Sequence, residues 1–400
     1  MEKERKLKIK FIHLNCLHEF IFENYNIIIL LRGIMGNLHD YLDYCQNLTF
    51  EQLPFNELDG VIFSMLPMLD CSISFPKSGS RDFFHCVSRH VRVHELNQLG
   101  LIINSDIAKM LYRASKMKRF SSLRIHSFSS IIDQTSETQA TGLVVDISDN
   151  TSVVVFSGTD DTIVGWKEDF NLMYNDIVPC LEHSLNYLNN VAKSLDNIYI
   201  VGHSKGGMEA FFSYSYCDED IEKKVIKVIS YDGPGLSKNI VSNIPKERLN
   251  KMTHIIPQGG IIGRLFFSPI EPLIIYSTYR GLQQHDPMSW EISRGKLNFQ
   301  QVDEFNIQSN LMKQKIDSII NSLNKTQSKQ FVHYLFEIMS AGGSLTLTEM
   351  SRRPHKALKQ YLKIPLESRK LITSLILYLA KDKIISRELI LGAFGVNQTR

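Results

Sequence analysis

The stretch that decides the fold is YIVGHSKGG, residues 199–207. It contains the pattern G-x-S-x-G around Ser204. An apolar run typical of a strand leads directly into the pattern, and the segment 205–217 after it has helical character. Alone the pattern is a weak signal, because a glycine-rich turn before a helix would also produce it. In this context it predicts a sharp strand–turn–helix that presents a nucleophilic serine.

The two glycines of the pattern have a steric purpose. Gly202 and Gly206 let the strand and the helix approach each other where a Cβ would clash. The turn then places Ser204 Oγ at the carboxyl edge of the sheet, in front of the helix N-terminus. The backbone N–H of Lys205 points at the same spot, and we expect it to stabilise an oxyanion.

The flanking sequence alternates apolar strands with helices from about residue 139 onward. The predicted strands are short and nearly continuous in apolar residues, at 142–147, 152–156, 197–201, 225–230, 253–256 and 273–277. Predicted helices lie within 179–195 and at 205–217. Such strands are typical of a parallel sheet covered on both faces, so the sequence predicts an α/β fold with a mostly parallel sheet.

A second oxyanion donor is expected in the loop after an earlier strand. The sequence SGTDD, residues 157–161, follows the predicted strand 152–156. Thr159 can offer its backbone N–H and its hydroxyl, and Asp160 can offer its backbone N–H. An ordinary β-turn is the alternative, since Gly-Thr-Asp is common in turns.

In hydrolases with a serine at such a turn, the acid follows the serine along the chain and the histidine follows the acid. His285 follows the predicted strand 273–277 by a loop, which is where a general base belongs. Among the carboxylates between Ser204 and His285, only Asp232 lies just past the end of a core strand. It would orient the imidazole. Asp286 beside the base and the absence of any carboxylate partner remain alternatives.

Three further features have mainly structural interpretations. His90 and His94 share one helical face, which suggests a metal, but no acidic third ligand lies near them in the sequence and polar decoration of a helix is favoured. Trp166 is expected to pack, with a position at the site entrance as the alternative. His254 falls inside a predicted strand, which favours a core role.

Composition divides the chain unevenly. The 400 residues carry 45 Lys and Arg against 42 Asp and Glu, a formal net charge of +3, with 43% hydrophobic residues. This excludes a disordered chain. Residues 301–400 have a net charge of +7 and residues 1–300 of −4. We therefore predict an extension at 1–34, a catalytic domain with a helical N-terminal segment at 35–300, and a helical C-terminal domain at 301–400. Met35 is an alternative start to Met1.

The sequence also carries predictions about location and partners. The six cysteines lie far apart without a C-x-x-C, which favours free thiols in a reducing compartment. No export signal and no segment of transmembrane length is apparent, so we predict a cytoplasmic protein.

The C-terminal part carries a basic stretch at 352–370 that could contact an anionic surface weakly, although a solvated helix face also fits. Aromatic residues do not alternate with these charges, so no nucleic-acid partner is expected.

The quoted motifs together resemble a known family. They are Phe156–Thr159, Trp166 with Asp169, Gly202–Gly207, and the sequence QHDPMSW at 284–290. They resemble a family of largely uncharacterised bacterial proteins whose core is similar to the class 3 lipases of the α/β-hydrolase superfamily. The resemblance implies an α/β-hydrolase fold, Ser204 as nucleophile, His285 as base, and an oxyanion donor at Thr159 or Asp160.

These predictions converge on a serine hydrolase of esters. Ser204, His285 and Asp232 would form the catalytic triad, with a small-molecule ester or a lipid as substrate and no need for a metal or an organic cofactor. The alternative is a catalytically inactive hydrolase fold that serves as a binding module. The two hypotheses differ in whether His285 has a carboxylate within hydrogen-bond reach.

Overall fold

The computed structural model describes residues 36–97, 100 and 104–381 of the chain. The predicted extension 1–34, the alternative start Met35 and Cys16 lie outside the described residues. The other five cysteines are free thiols, and Cys71 is the one of these that is not fully buried.

A single eight-stranded sheet organises the described chain, with strands that neighbour one another in sequence order. The strands are β1 (Ser80–Asp82), β2 (Arg124–Asp133), β3 (Thr138–Ser148), β4 (Thr151–Phe156), β5 (Asn197–His203), β6 (Val225–Tyr231), β7 (Met252–Pro257) and β8 (Leu273–Ile275). All six predicted strands therefore exist, although the last is shorter than 273–277.

Strand direction divides the sheet into two halves. From β1 to β4 the neighbouring strands are antiparallel. The tight turn that joins β3 to β4 is too short for the crossover that a parallel pair would need. From β4 to β8 every neighbour is parallel, with Val155 opposite Val201 and Val201 opposite Ile229. The parallel half agrees with the predicted α/β fold.

Helices cover both faces of the sheet. The N-terminal ones are α1 (Leu38–Cys45), α2 (Glu57–Ser64), α3 (Cys71–Ser74), α4 (Phe83–His94) and α5 (Ser105–Ala114). Those within the sheet region are α6 (Ile163–Asn171), α7 (Pro179–Val191), α8 (Lys205–Tyr216), α9 (Glu219–Glu222) and α10 (Lys238–Ser242).

Alternation along β4 shows how the two faces are filled. Val153 and Val155 point into a core built with α1 to α5, whereas Val154 and Phe156 point into a second core built with α7 and α8. Since successive strand residues face opposite sides, a continuous apolar run is what a sheet buried on both faces requires.

The C-terminal region is helical, with α11 (Ile307–Ser322), α12 (Lys325–Met339), α13 (Leu347–Ser351), α14 (Pro354–Tyr361) and α15 (Leu366–Lys381). The sequence at 348–361 predicts one helix, and this prediction is wrong. Pro354 disfavours helical backbone at the preceding residue, and Arg353 has φ −129° and ψ 46°.

The C-terminal helices pack directly on α6. Their shared core contains Ile163, Phe331, Val332, Phe336 and Leu347, and the Phe170 and Phe336 rings lie 5.4 Å apart in an edge-to-face arrangement. None of the helices in the described ranges is both long enough and apolar enough to span a bilayer.

Candidate active site

The candidate residues gather at one edge of the sheet. Because β4 to β8 are parallel, their carboxyl ends meet there. Each strand is followed by a residue of interest, in order along the edge: Thr159 after β4, Ser204 after β5, Asp232 after β6, Gly263 after β7 and His285 after β8. Chain order and spatial order therefore coincide.

Ser204 occupies a strained turn between β5 and α8. Its φ is 58° and its ψ −132°, in the left-handed half of backbone space that disfavours a side chain. Its N–H donates to the carbonyl of Tyr231 at 3.0 Å. A Cβ on Gly202 would overlap the carbonyl of Gly206, and a Cβ on Gly206 would overlap the carbonyl of Phe156. Both glycines thus permit the close strand–helix approach that the sequence predicts.

Asp232 and His285 form a close pair. Asp232 Oδ2 lies 2.6 Å from His285 Nδ1, and Asp232 Oδ1 accepts the N–H of Gly263 at 3.0 Å. The Asp232 side chain is fully buried, whereas 26% of the His285 side chain is exposed. Burial raises the pKa of Asp232, and the adjacent His285 opposes that shift. Asp232 also has a positive φ of 46°, which turns its side chain from the end of β6 toward the base.

The loop that carries His285 is anchored through two consecutive carbonyls. His203 Nε2–H donates to the carbonyl of His285 at 2.8 Å, and Trp290 Nε1–H donates to that of Gln284 at 2.8 Å. The His203 and His285 rings lie 4.4 Å apart. Burial lowers the pKa of His203 well below its usual value, which favours the neutral ring over the charged one. The base-side role of His203 was not predicted from the sequence.

Asp286, the alternative acid, makes other contacts. Its Oδ2 accepts from Asn104 Nδ2 at 2.6 Å, and its Oδ1 accepts the N–H of Met288 at 3.0 Å. It thereby caps the short helix Pro287–Ser289. Of the two candidate carboxylates, the geometry brings only Asp232 to the imidazole.

Ser204 and His285, the candidate nucleophile and base, are not hydrogen-bonded to each other. Within the described residues, no hydrogen bond joins Ser204 to His285, and His285 Nε2 has no protein partner. Ser204 is partly exposed. Bonds of this kind often tighten only when a substrate is bound.

The loop after β4 lies against the serine. A Cβ on Gly158 would meet Ser204 Cβ at 3.3 Å. The Thr159 hydroxyl donates to Asp169 Oδ2 at 2.6 Å. Asp160 Oδ1 accepts the N–H of Thr162 at 2.8 Å, and its carbonyl accepts from Trp166 Nε1 at 3.1 Å. These side chains hold the loop itself, which leaves the backbone N–H groups as the oxyanion donors to consider.

A buried charge cluster that was not predicted from the sequence lies behind the strand–turn–helix at Ser204 (the elbow). The Lys205 side chain is 1% exposed, and its Nζ lies 2.5 Å from Glu168 Oε2 and 3.6 Å from Asp169 Oδ1. Glu168 also accepts the backbone N–H groups of Gln139 at 2.9 Å and Cys180 at 2.7 Å. The only sequence signal was the pair of acids that follows Trp166 and Lys167.

Electrostatics explain how this cluster tolerates burial. Burial alone would lower the pKa of Lys205, but neighbouring anionic groups, Asp169 first, hold it above its usual value. Burial raises the pKa of Asp169 to about 6 against the opposing effect of Lys205. Glu209, also buried here, has a pKa well above its usual value, again because of burial. A charged Lys205 opposite Glu168 and Asp169 is the arrangement that these shifts favour.

The remaining candidates lie away from this edge. His90 Nδ1 accepts the N–H of Asp70 at 2.9 Å, and His94 Nε2 lies 2.5 Å from Asp70 Oδ2. Among the described residues, no group of three or more potential metal ligands comes together. His254 is fully buried in β7, and Trp166 packs against the C-terminal helices.

Two surface grooves are also remote from the elbow. One of about 390 Å³ lies between Gln46 and α5, and one of about 500 Å³ lies at the opposite edge of the sheet beside Asn150 and Asp196. Neither contains a residue of the edge that carries Ser204.

Comparison with known proteins identifies a family and shows a likeness to solved structures. The model of the Mbeg1-like family matches residues 114–337, a span that includes Ser204, Asp232 and His285. No curated protein matches the chain. Among solved structures, M37 lipase is similar with a TM-score of 0.34 and 16% sequence identity, covering 52% of this chain and 69% of the lipase chain.

Proposed function

We propose that this chain, which belongs to the Mbeg1-like family, is a serine hydrolase that cleaves carboxylic esters on an α/β-hydrolase fold. The observation that carries the proposal is the 2.6 Å contact between Asp232 Oδ2 and His285 Nδ1, at the sheet edge that also bears the strained Ser204. A serine at such a turn and a carboxylate-paired imidazole are the two halves of a triad.

In the proposed first step, Ser204 Oγ attacks the ester carbonyl carbon while His285 Nε2 takes its proton. The carbonyl oxygen becomes an oxyanion that accepts hydrogen bonds from the Lys205 N–H and from the Thr159 or Asp160 N–H. Asp232 keeps the proton on Nδ1 and stabilises the imidazolium that forms. His285 then returns its proton to the leaving alcohol, and the acyl group stays on Ser204.

In the second step, water completes the turnover. His285 Nε2 takes a proton from water, whose oxygen attacks the acyl carbon, and the same oxyanion donors act again. Collapse of the intermediate releases the carboxylic acid, and the proton on Nε2 returns to Ser204 Oγ. Each proton removed by the imidazole is given back, so the enzyme is regenerated without any cofactor.

The alternative of an inactive binding module has less support. An imidazole with a buried carboxylate on Nδ1 and an unpartnered Nε2 is organised for proton transfer, which a binding surface does not require. Ser204 is partly exposed, and we propose a small-molecule ester or a lipid as the substrate that it attacks.

Labelling with a fluorophosphonate probe, together with hydrolysis of p-nitrophenyl esters of short and long acyl chains, tests the proposal. We expect Ser204→Ala to abolish labelling and His285→Ala to lower kcat by about three orders of magnitude. We expect Asp232→Asn to cause a similar loss, because the imidazole would then adopt the wrong tautomer. Asp286→Asn should lower kcat far less, since the Asp286 carboxylate caps the short helix Pro287–Ser289.

Ser242→Ala, at an exposed position of α10, serves as the matched serine control and should label as the wild type does. If the folded wild type neither labels at Ser204 nor hydrolyses any of these esters, the protein is not a serine esterase. Equal losses in Asp286→Asn and Asp232→Asn would reject Asp232 as the acid.

We also propose that the C-terminal helices contact an anionic lipid surface through a basic face, defined as Arg352, Arg353, Lys356, Lys359, Lys363, Arg369 and Lys370. Exposed leucines lie among these charges: Leu358 is 40%, Leu362 60% and Leu366 56% exposed. Within this stretch Glu367 is the sole acid, and it pairs with Lys370. Lysines beside exposed leucines fit a surface with negative headgroups above an acyl layer.

Co-sedimentation with phosphatidylcholine vesicles, with and without phosphatidylserine, tests this contact. Replacing Lys356, Lys359 and Lys363 by Gln should weaken binding to the anionic vesicles by about 100-fold, since each lysine contributes about 1 kcal/mol near such a surface. The same change at exposed Lys193, Lys238 and Lys246 is the control. Equal binding by the two triple variants would reject the basic face.

A further inference from the structure

Asn104 connects the N-terminal helices to the loop that carries the proposed base. Its side chain makes two hydrogen bonds with different functions. Asn104 Oδ1 accepts the N–H of Asp106 at 2.9 Å, which caps the N-terminus of α5. Asn104 Nδ2 donates to Asp286 Oδ2 at 2.6 Å, between residues that lie 182 positions apart in the sequence. One amide thus joins the start of a helix to the residue that follows His285.

The helix that begins at this amide is fixed in the core. Ile107 and Leu111 of α5 belong to the same buried core as Phe83 of α4 and Val145 of β3. Asn104 itself lies outside residues 114–337, the span that matches the model of the Mbeg1-like family. The contact therefore comes from a firmly packed part of this chain that the family model does not cover.

Asp286 transmits this contact to the backbone of the base loop. Its Oδ1 accepts the N–H of Met288 at 3.0 Å, and its carbonyl accepts Ser289 Oγ–H at 2.6 Å. Burial raises the pKa of the Asp286 carboxyl, and the hydrogen bond from Asn104 is the first of the contacts that oppose this shift. Because both carboxylate oxygens are held, the peptide bond that joins Asp286 to His285 has a fixed place as well.

We propose that Asn104 is a positioning residue for His285, which it orients through Asp286 without touching the substrate. The inference rests on the proposed function. The contact of Asp232 with Nδ1 fixes one point of the imidazole, but the direction of Nε2 also depends on the backbone that carries the ring. His203 holds the carbonyl of His285, and Asn104 holds the next residue. A small displacement of this backbone would misplace the base in the transition state and slow proton transfer.

The test separates the two functions of the Asn104 amide. Serine and aspartate cap a helix about as well as asparagine does, but neither keeps the Nδ2 donor. We expect Asn104→Ser to lower kcat for a p-nitrophenyl ester by about tenfold, the lower end of what a hydrogen bond to a charged group contributes. KM should change less than about twofold, since proton transfer follows binding. Asn104→Asp, which places a second carboxylate against Asp286, should lower kcat further.

A double variant and a matched control identify the path. Asn104→Ser combined with Asp286→Ala should have the kcat of Asp286→Ala alone, because both changes break one path. Asn56 caps α2 through Oδ1 and donates from Nδ2 to the Tyr41 hydroxyl at 3.0 Å, which is the same pair of functions in another part of the fold. We therefore expect Asn56→Ser to keep kcat within about twofold of wild type. Thermal unfolding shows whether each variant is folded, and if Asn104→Asp does not fold, the comparison of Asn104→Ser with Asn56→Ser decides alone.

The outcomes distinguish this inference from the proposed function. If the wild type shows Ser204-dependent turnover and Asn104→Ser keeps its kcat, the positioning role is rejected and the serine esterase stands. An equal loss of kcat in Asn56→Ser, or losses that multiply in the double variant, would also reject the positioning role. A wild type without Ser204-dependent turnover overturns both proposals.

Discussion

His254 shows how a single buried histidine couples stability to pH. It lies fully buried in β7, where Nε2–H donates to the carbonyl of Gly233 at 2.9 Å and Nδ1 lies 2.9 Å from Ser268 Oγ. Burial lowers its pKa to about 4. The folded protein therefore keeps this imidazole neutral at pH values where the unfolded chain already binds a proton.

We predict that His254 makes the protein less stable as the pH falls. Its folded pKa lies below the usual 6.5, so its contribution is present above pH 6.5 and is lost as the pH falls toward 4. Between pH 7 and pH 5 the loss should be about 2 kcal/mol in the free energy of unfolding. Urea denaturation at both pH values measures it in the wild type, in His254→Gln and in His355→Gln.

The difference between pH 7 and pH 5 should shrink in His254→Gln and stay unchanged in His355→Gln, since His355 is exposed. If His254→Gln loses as much stability as the wild type over this range, burial of His254 is not a source of the acid sensitivity. The sequence predicts a core position for His254, and the measurement determines how much burial of His254 contributes to the loss of stability at low pH.

Two other residues carry backbone strain at the site. Ser204 and Asp232 end adjacent strands, and both have positive φ although neither is glycine. At each turn the side chain points along the sheet edge. A relaxed continuation of the strand would leave that side chain on one face of the sheet. Strain of this kind persists where surrounding structure fixes it, here through the N–H bonds from Ser204 to Tyr231 and from Asp232 to Ile255.

At the scale of elements, the parallel half of the sheet could be predicted because its signals are local. β4 to β7 are apolar runs bounded by turns, and the G-x-S-x-G pattern after β5 fixes the position of the elbow. Once the strands are parallel and in sequence order, residues that follow them must share one edge. The nearness of Asp232 and His285 follows from that geometry.

What sequence patterns could not provide are contacts between distant segments. Glu168 meets Lys205 only because α6 packs against β3 and because Glu168 also accepts the N–H of Cys180 in α7, and no sequence periodicity predicts these contacts. His203 Nε2–H donates to the backbone carbonyl of His285, and the two residues lie 82 positions apart in the sequence. The prediction of a single helix at 348–361 is wrong because Pro354 disfavours helical backbone at Arg353. The roles of the triad residues, and the division of the chain at 34 and 300, stay predictions.

At the scale of the whole molecule, the C-terminal helices are hydrogen-bonded to the sheet edge that carries the candidate active site. The N–H of Asn306 donates to the carbonyl of Gln258 at 2.8 Å, and Ser309 Oγ–H donates to the carbonyl of Gly260 at 2.7 Å. Both acceptors lie in the loop after β7 that also supplies Gly263. The net charge of the chain therefore changes near residue 300, but the segments before and after that point are hydrogen-bonded to each other.

A second set of hydrogen bonds reaches the loop after β4 that carries the proposed oxyanion donors (the oxyanion loop). The N–H of Ile163 donates to the carbonyl of Leu345 at 2.8 Å, and the N–H of Leu347 donates to the carbonyl of Asp161 at 2.9 Å. Thr162 and Thr346 pair between them as an isolated antiparallel bridge. This short ladder, residues 345–347 on residues 161–163, begins two positions after Thr159. The C-terminal region thereby restrains the loop that carries Thr159.

We predict that breaking one rung of this ladder slows hydrolysis. Leu347→Pro removes the N–H that binds Asp161, and Pro suits the first position of α13 after the extended Thr346, which has φ −127° and ψ 158°. Leu347→Ala truncates the same buried side chain but keeps the N–H. We expect kcat in Leu347→Pro to be about fivefold below that of Leu347→Ala, as loss of one hydrogen bond of about 1 kcal/mol would give. Steady-state hydrolysis of a p-nitrophenyl ester compares the two variants after thermal unfolding has shown both to be folded, and equal kcat values would mean that the C-terminal helices do not restrain the oxyanion loop.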